Sequence, residues 1–156
     1  MHNIILLAAA LQRWERYSVH AIAARDVAAA LARHAKQLYV LSVYDNEAAR
    51  LPSSGLPAEM VAQLREQHIQ QTDRLMAEMM DEYVAPLVSQ GVPVSKILRL
   101  GNPRHVIVEV ASEIEADLLV IGSHSKRGLL DIALGDTARH VSAHAPCTVL
   151  MVAPKK

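Results

Sequence analysis

The run Leu118-Leu119-Val120-Ile121, entered from Ala116-Asp117 and closed by Gly122, offers no polar residue to either face of a strand. Four such residues in a row suit a strand covered on both sides of a sheet. The residues that follow narrow the choice further. Gly122, Gly128 and Gly135 punctuate the stretch up to a helical segment, Asp136 to His144, and Cys147 to Val152 reads as another strand after Pro146. A strand, a glycine-bearing loop and a helix N-terminus together make a natural place for phosphate, because backbone N–H groups point outward there.

The same alternation runs through the rest of the chain. Ile4 to Leu7 forms a first strand that continues into Ala8, Ala9 and Ala10. Gln12 to Ser18 is a polar connection carrying Trp14. From there to Lys36, Val19, Ala23, Val27, Ala30 and Leu31 recur at three- and four-residue steps, one face of a helix. Leu38 to Val43 is strand two, and Asn46 to Pro57 is a loop. Ala58 to Gln90 is one long helical stretch with an exposed first half and an apolar second half; Pro86 is expected to bend or end it, and Gly91 marks the stop. Val92 to Leu100 is strand three. Asn102 is placed to cap the next helix, with Pro103 at its first position and a buried stripe of Val106, Ile107, Val110, Ala111 and Ile114. Strands alternating with helices imply a parallel sheet with right-handed crossovers, an α/β sandwich that binds ligands at the carboxyl ends of its strands.

Composition excludes several classes. A chain of 156 residues is one domain by length. Its core is aliphatic, since Phe is absent, and its formal net charge of zero argues against a nucleic-acid binder working through bulk charge. Cys147 is the single cysteine, so no internal disulfide forms. No apolar run approaches the ~20 residues of a membrane helix. The segment His2 to Leu11 lacks the basic start of a signal peptide, so a cytoplasmic location is expected.

Two further stretches carry a family resemblance. Gly101-Asn102-Pro103, an apolar helix and then Ala116-Asp117-Leu118-Leu119-Val120-Ile121-Gly122-Ser123 form the first. The second is His144-Ala145-Pro146-Cys147 running into Thr148-Val149-Leu150-Met151-Val152. Together they resemble the universal stress protein family, over nearly the whole length. The resemblance implies a three-layer sandwich of the adenine nucleotide alpha hydrolase-like kind. Its parallel sheet has five strands in order 3-2-1-4-5, with strands one and four adjacent at the switch point. It also implies a homodimer joined through the last strand, Cys147 to Val152.

Some members of that family bind ATP through a loop of Gly, two residues, Gly, nine residues, Gly, then Ser or Thr. By this resemblance Val43, Gly122, Ser123, Gly128 and Gly135 are the candidate nucleotide contacts. Gly122 and Gly135 match the pattern; Ser125 stands in place of its second glycine and Asp136 in place of its hydroxyl. Ala10 stands where nucleotide-binding members carry an Asp. The loop therefore resembles a degenerate form. Ser125 has a Cβ, which makes a positive φ costly. A carboxylate roughly 4 Å from a phosphate oxygen repels it by about 4 kcal/mol at an effective dielectric of about 20. A helix N-terminus returns typically ~0.3–1 kcal/mol and at best about 2. Asp136 is expected to cap its own helix, while Lys126 and Arg127 are a solvated loop or else an anion clamp.

The expectation is a cytoplasmic stress-response dimer that acts as a regulatory or interaction module toward an unidentified protein, without ATP, cofactor or catalysis. The alternative is a nucleotide sensor, for ATP, AMP or a cyclic nucleotide, or a slow ATPase. Two other chemistries find little support. His140 and His144 stand four apart on one helix, but no Cys, Asp or Glu cluster joins them, so no metal site is expected. Ser123-His124-Ser125 lacks the elbow of a hydrolase nucleophile.

Overall fold

A computed structural model describes residues 3–9, 18–44, 55–123 and 135–154. Within them the chain forms β1 (Ile4–Ala8), α1 (Val19–Ala32), β2 (Gln37–Tyr44), α2 (Ala58–Ser89) and β3 (Val94–Leu100), followed by α3 (Pro103–Glu113), β4 (Leu118–Gly122), α4 (Asp136–His144) and β5 (Thr148–Val152). All pairings are parallel and the sheet order is β3-β2-β1-β4-β5, the expected architecture.

The two-residue period of the strands divides the core. Ile5, Leu7, Leu38, Val40, Leu118 and Val120 face α1 and α2, while Leu6, Ala8, Leu41, Leu119 and Ile121 face Ile107, Val110 and Ala111 of α3 and Val141 of α4. Because β1 and β4 lie inside the sheet, both of their faces are buried, which is why their sequences are unbroken apolar runs.

Helix α1 presents a different face from the expected one. Ala21, Ala24, Ala28, Ala29 and Ala32 are buried, whereas Val19 is 63% and Leu31 39% exposed. Alanines let the helix lie close to the sheet, and the larger Val27 is left to the flank, half-buried. The helix starts at Ser18, whose Oγ accepts from the Ala21 N–H at 3.1 Å. It ends at Ala32 rather than near Lys36, whose N–H instead bonds the carbonyl of Asn3.

Pro86 neither ends nor interrupts α2, which runs on to Ser89. Buried Tyr83, Val84 and Leu87 flank it and hold the last turn against the sheet, offsetting the lost N–H. The turn then closes around Gly91, at φ +76°, with the N–H groups of Gly91 and Val92 donating to Val88 and Leu87. Val92 is committed to that closure, so β3 begins at Val94 and not at Val92. Strand β5 likewise starts one residue late, at Thr148, with Cys147 half-buried beside the α3–α4 cluster. Burial, and then the nearby Asp117 carboxylate, push the Cys147 thiol up.

Polar contacts tie helix to helix and strand to strand. The Tyr83 hydroxyl donates to the Ala21 carbonyl at 2.6 Å, tying α2 to the first turn of α1. At the other end of the sheet, Asp117 Oδ2 accepts from the N–H groups of Asn3 and Ile4, each at 2.8 Å, and its own N–H donates to the Ile4 carbonyl. These are charge-assisted bonds on an exposed carboxylate, at the lower end of their usual strength. Asp117→Ala is expected to lower the unfolding free energy by about 1–3 kcal/mol in urea titration, with an unchanged m-value.

Candidate functional site

The hydrogen bonds at the carboxyl end of the sheet open a crevice. Ala8 and Ile121 are the last opposed pair of β1 and β4. Beyond them β1 stays bonded to β2, the Ala9 N–H donating to the Leu41 carbonyl at 2.8 Å. Strand β4 stays bonded to β5 on the other side, pairing Gly122 with Val152 and donating the Ser123 N–H to the Val152 carbonyl at 2.9 Å. The two strands part here because their next neighbours lie on opposite sides. This is the switch point at which sheets of this kind hold ligands.

Four of the five candidate contacts fall in the described residues. Val43 lies near the end of β2, half-buried, on the α3–α4 side. Gly122 ends β4. A Cβ built there would come 3.1 Å from His20 Cβ and 3.4 Å from the His20 carbonyl oxygen, so the glycine lets the first turn of α1 seat against the strand. Ser123 is buried, and its carbonyl accepts the Gly135 N–H at 3.0 Å. That bond brings the two ends of the intervening segment together at the crevice. Gly128, Ser125 and Ala10 lie outside the described residues, as do His124, Lys126 and Arg127.

Gly135, not Asp136, caps α4. It has extended backbone, φ −61° and ψ 150°, and no side chain to bond the first amides of the helix. Asp136 is the first helical residue, exposed, within the first turn. Both residue types suit an N-cap, and the Gly135 N–H bond to Ser123 decides between them by holding Gly135 at the strand side of the junction. The acid therefore complements the helix dipole from the first turn without consuming an amide through its own cap.

His20 has no motif of its own in the sequence and is absent from the expected contacts, although Ser18 followed by an apolar helical pattern is a start signal that puts it in the first turn. On the far side of α4, the expected His140–His144 pair is in place. Their rings stack with centroids 4.1 Å apart, and His105 of α3 meets His140 edge-on at 5.2 Å. Among the described residues no group of three or more His, Cys, Asp or Glu is arranged to hold a metal ion.

Known proteins share this sequence pattern and this fold. The model of the universal stress protein family matches residues 17–153. A universal stress protein of Methanocaldococcus jannaschii, MJ0531, is 33% identical over 144 residues, covering 84% of this chain and 78% of that one. Among solved structures, hypothetical protein MJ0577 of the same organism superposes with a TM-score of 0.78 at 24% identity, covering 100% of this chain and 99% of that chain. An Arabidopsis thaliana universal stress family protein with AMP bound superposes at 0.63 with 15% identity, covering 98% and 92%.

The fit of His20 against Gly122 is testable. With His20 Cβ and backbone as its neighbours, Gly122→Ala requires the first turn of α1 to give by a few tenths of an ångström and is expected to cost about 1 kcal/mol, read as a lower urea midpoint.

Proposed function

The chain belongs to the universal stress protein family, and on that premise we propose that it works as a stress-response homodimer, a regulatory or interaction module that does not take up ATP. The observation that carries this reading is Asp136, an exposed carboxylate in the first turn of α4, the helix that follows the glycine-bearing segment. A triphosphate approaching the amides of α4 meets that charge first, and the repulsion exceeds what the helix end returns. Ser125 and Ala10 depart from the ATP pattern in the same direction.

The dimer is proposed through β5. Of the two sheet edges, β3 carries Lys96 and Arg99, charges that discourage edge pairing. Strand β5 reads Thr148-Val149-Leu150-Met151-Val152, with Leu150 37% and Met151 38% exposed and no charge. A symmetry-related copy of the same strand would cover it. The proposed site of action is the cytoplasm; among the described residues no helix is long and apolar enough to cross a membrane.

A second reading, a sensor of AMP or a cyclic nucleotide, draws on one structural fact: the N-cap residue of α4, Gly135, makes no side-chain hydrogen bond to the first amides of the helix. Val43, Gly122, Ser123, Gly128 and Gly135 would then form its contacts, and the AMP-bound Arabidopsis relative has the same fold. A monophosphate brings less charge to Asp136 than a triphosphate does.

Calorimetric titration with magnesium-ATP at neutral pH separates the two. The expected dissociation constant is weaker than about 1 mM, with Asp136→Ser tightening it at least about tenfold. Micromolar binding by the unaltered protein would overturn the ATP-free reading. Light scattering should show a dimer, and Leu150→Lys should shift it to monomer.

A further inference from the structure

The face of α4 turned toward α3 carries a cluster that plays no part in the crevice. His140 is half-buried between His144, stacked on it at 4.1 Å with an interplanar angle of 18°, and His105, whose ring meets it at 5.2 Å and 83°. The His144 ring is anchored, with Nδ1 2.9 Å from the His140 carbonyl oxygen. Three imidazoles thus bridge two helices in one continuous contact.

The groups around His140 disfavour a proton on it. From α3 it is faced by His105 and by the Arg104 guanidinium, and from its own helix by His144. Strand β5, packed against the same helix, has no titratable side chain between Thr148 and Val152. The nearest carboxylates by helical spacing, Asp136 on α4 and Glu109 on α3, are exposed. Partial burial pushes the His140 imidazole below its ordinary value, and His144, His105 and Arg104 act in the same direction.

We propose that His105, His140 and His144 form an acid-sensitive clasp between α3 and α4, closed at neutral pH and driven apart on acidification. Neutral rings can stack and meet edge to face. Charged rings at these separations, with Arg104 beside them, repel. The effect reaches the crevice because α4 is capped by Gly135, whose N–H is bonded to Ser123 at the end of β4. Loosening the helix from α3 therefore loosens the carboxyl end of β4.

The direction with pH follows from linkage. Unfolded, His140 gains its proton near the ordinary value of 6.5; folded, it gains it lower. In the interval between the two, the unfolded chain binds more protons. The stabilising effect of the neutral clasp is full above the ordinary value. It falls away as pH drops through that value, and the loss is complete below the folded one.

The test uses the whole protein. Imidazole NMR titration should place the His140 midpoint below the ordinary value, and both His105→Gln and His144→Gln should raise it. Hydrogen exchange across residues 136–145, corrected for its intrinsic pH dependence, should show lost protection between about pH 7.5 and pH 5.5 in the unaltered protein. His140→Gln, neutral throughout, should keep its protection. Equal loss of protection in His140→Gln, or a His140 midpoint unmoved by both neighbouring substitutions, would contradict the clasp. None of these readouts depends on nucleotide or dimer, so their failure leaves the functional proposal where it stood.

Discussion

A single carboxylate sets the height at which this sheet opens. Strands β1 and β4 are apolar on both faces, so a slip of one residue would exchange Ile5 and Leu7 for Leu6 and Ala8 without exposing anything polar. In a half-buried strand such a slip is heavily penalised; here the hydrophobic pattern leaves it nearly free. Asp117 supplies what the pattern lacks. By accepting from both Asn3 and Ile4 at the start of β1, it sets Ile5 against Leu118 and, at the far end of the pairing, Ala8 against Ile121. The divergence of the two strands, and so the crevice, is built on that register.

Above the crevice the chemistry is a contest between geometry and charge. Among the described residues the backbone supplies the two ends of an anion site: a glycine-ended strand, joined through the Ser123–Gly135 bond to a helix whose N-cap residue has no side chain. The side chain at Asp136 opposes it. Over one helical turn the dipole is a fractional charge spread across several amides, whereas the carboxylate is a whole charge at the rim. The proposal that triphosphate is refused rests first on that inequality. It also explains why a less charged nucleotide is the natural competitor reading.

Much of the fold is legible in the residues themselves. The alternation of apolar runs with helical periods carries the parallel sheet, and the stretch from Gly101 to Val152 carries the family. What is not legible is decided by contacts distant in sequence or by weak local signals. The buried face of α1 is made of alanines, which contribute little to a hydrophobic pattern, so Val19 and Leu31 dominate the expected stripe while close packing favours the small residues. Gly135 and Asp136 are both good caps, and only the bond to Ser123 discriminates between them. Pro86 reads as a bend or an end, and that the helix does not end there depends on the tertiary contacts of Tyr83, Val84 and Leu87, which are invisible in a linear reading. Gly122 is legible as a special position, but its reason is His20, far earlier in the chain. His105 joins His140 in the same way, across an intervening strand.

The claim on which the proposed function turns is that this crevice repels a triphosphate. Native mass spectrometry of the protein, purified gently from its producing cells without added nucleotide, interrogates it directly. The account predicts a species with the mass of the polypeptide, or of its dimer, and nothing more. A stoichiometric adduct with the mass of ATP, lost when Gly135 is replaced by valine, would contradict it.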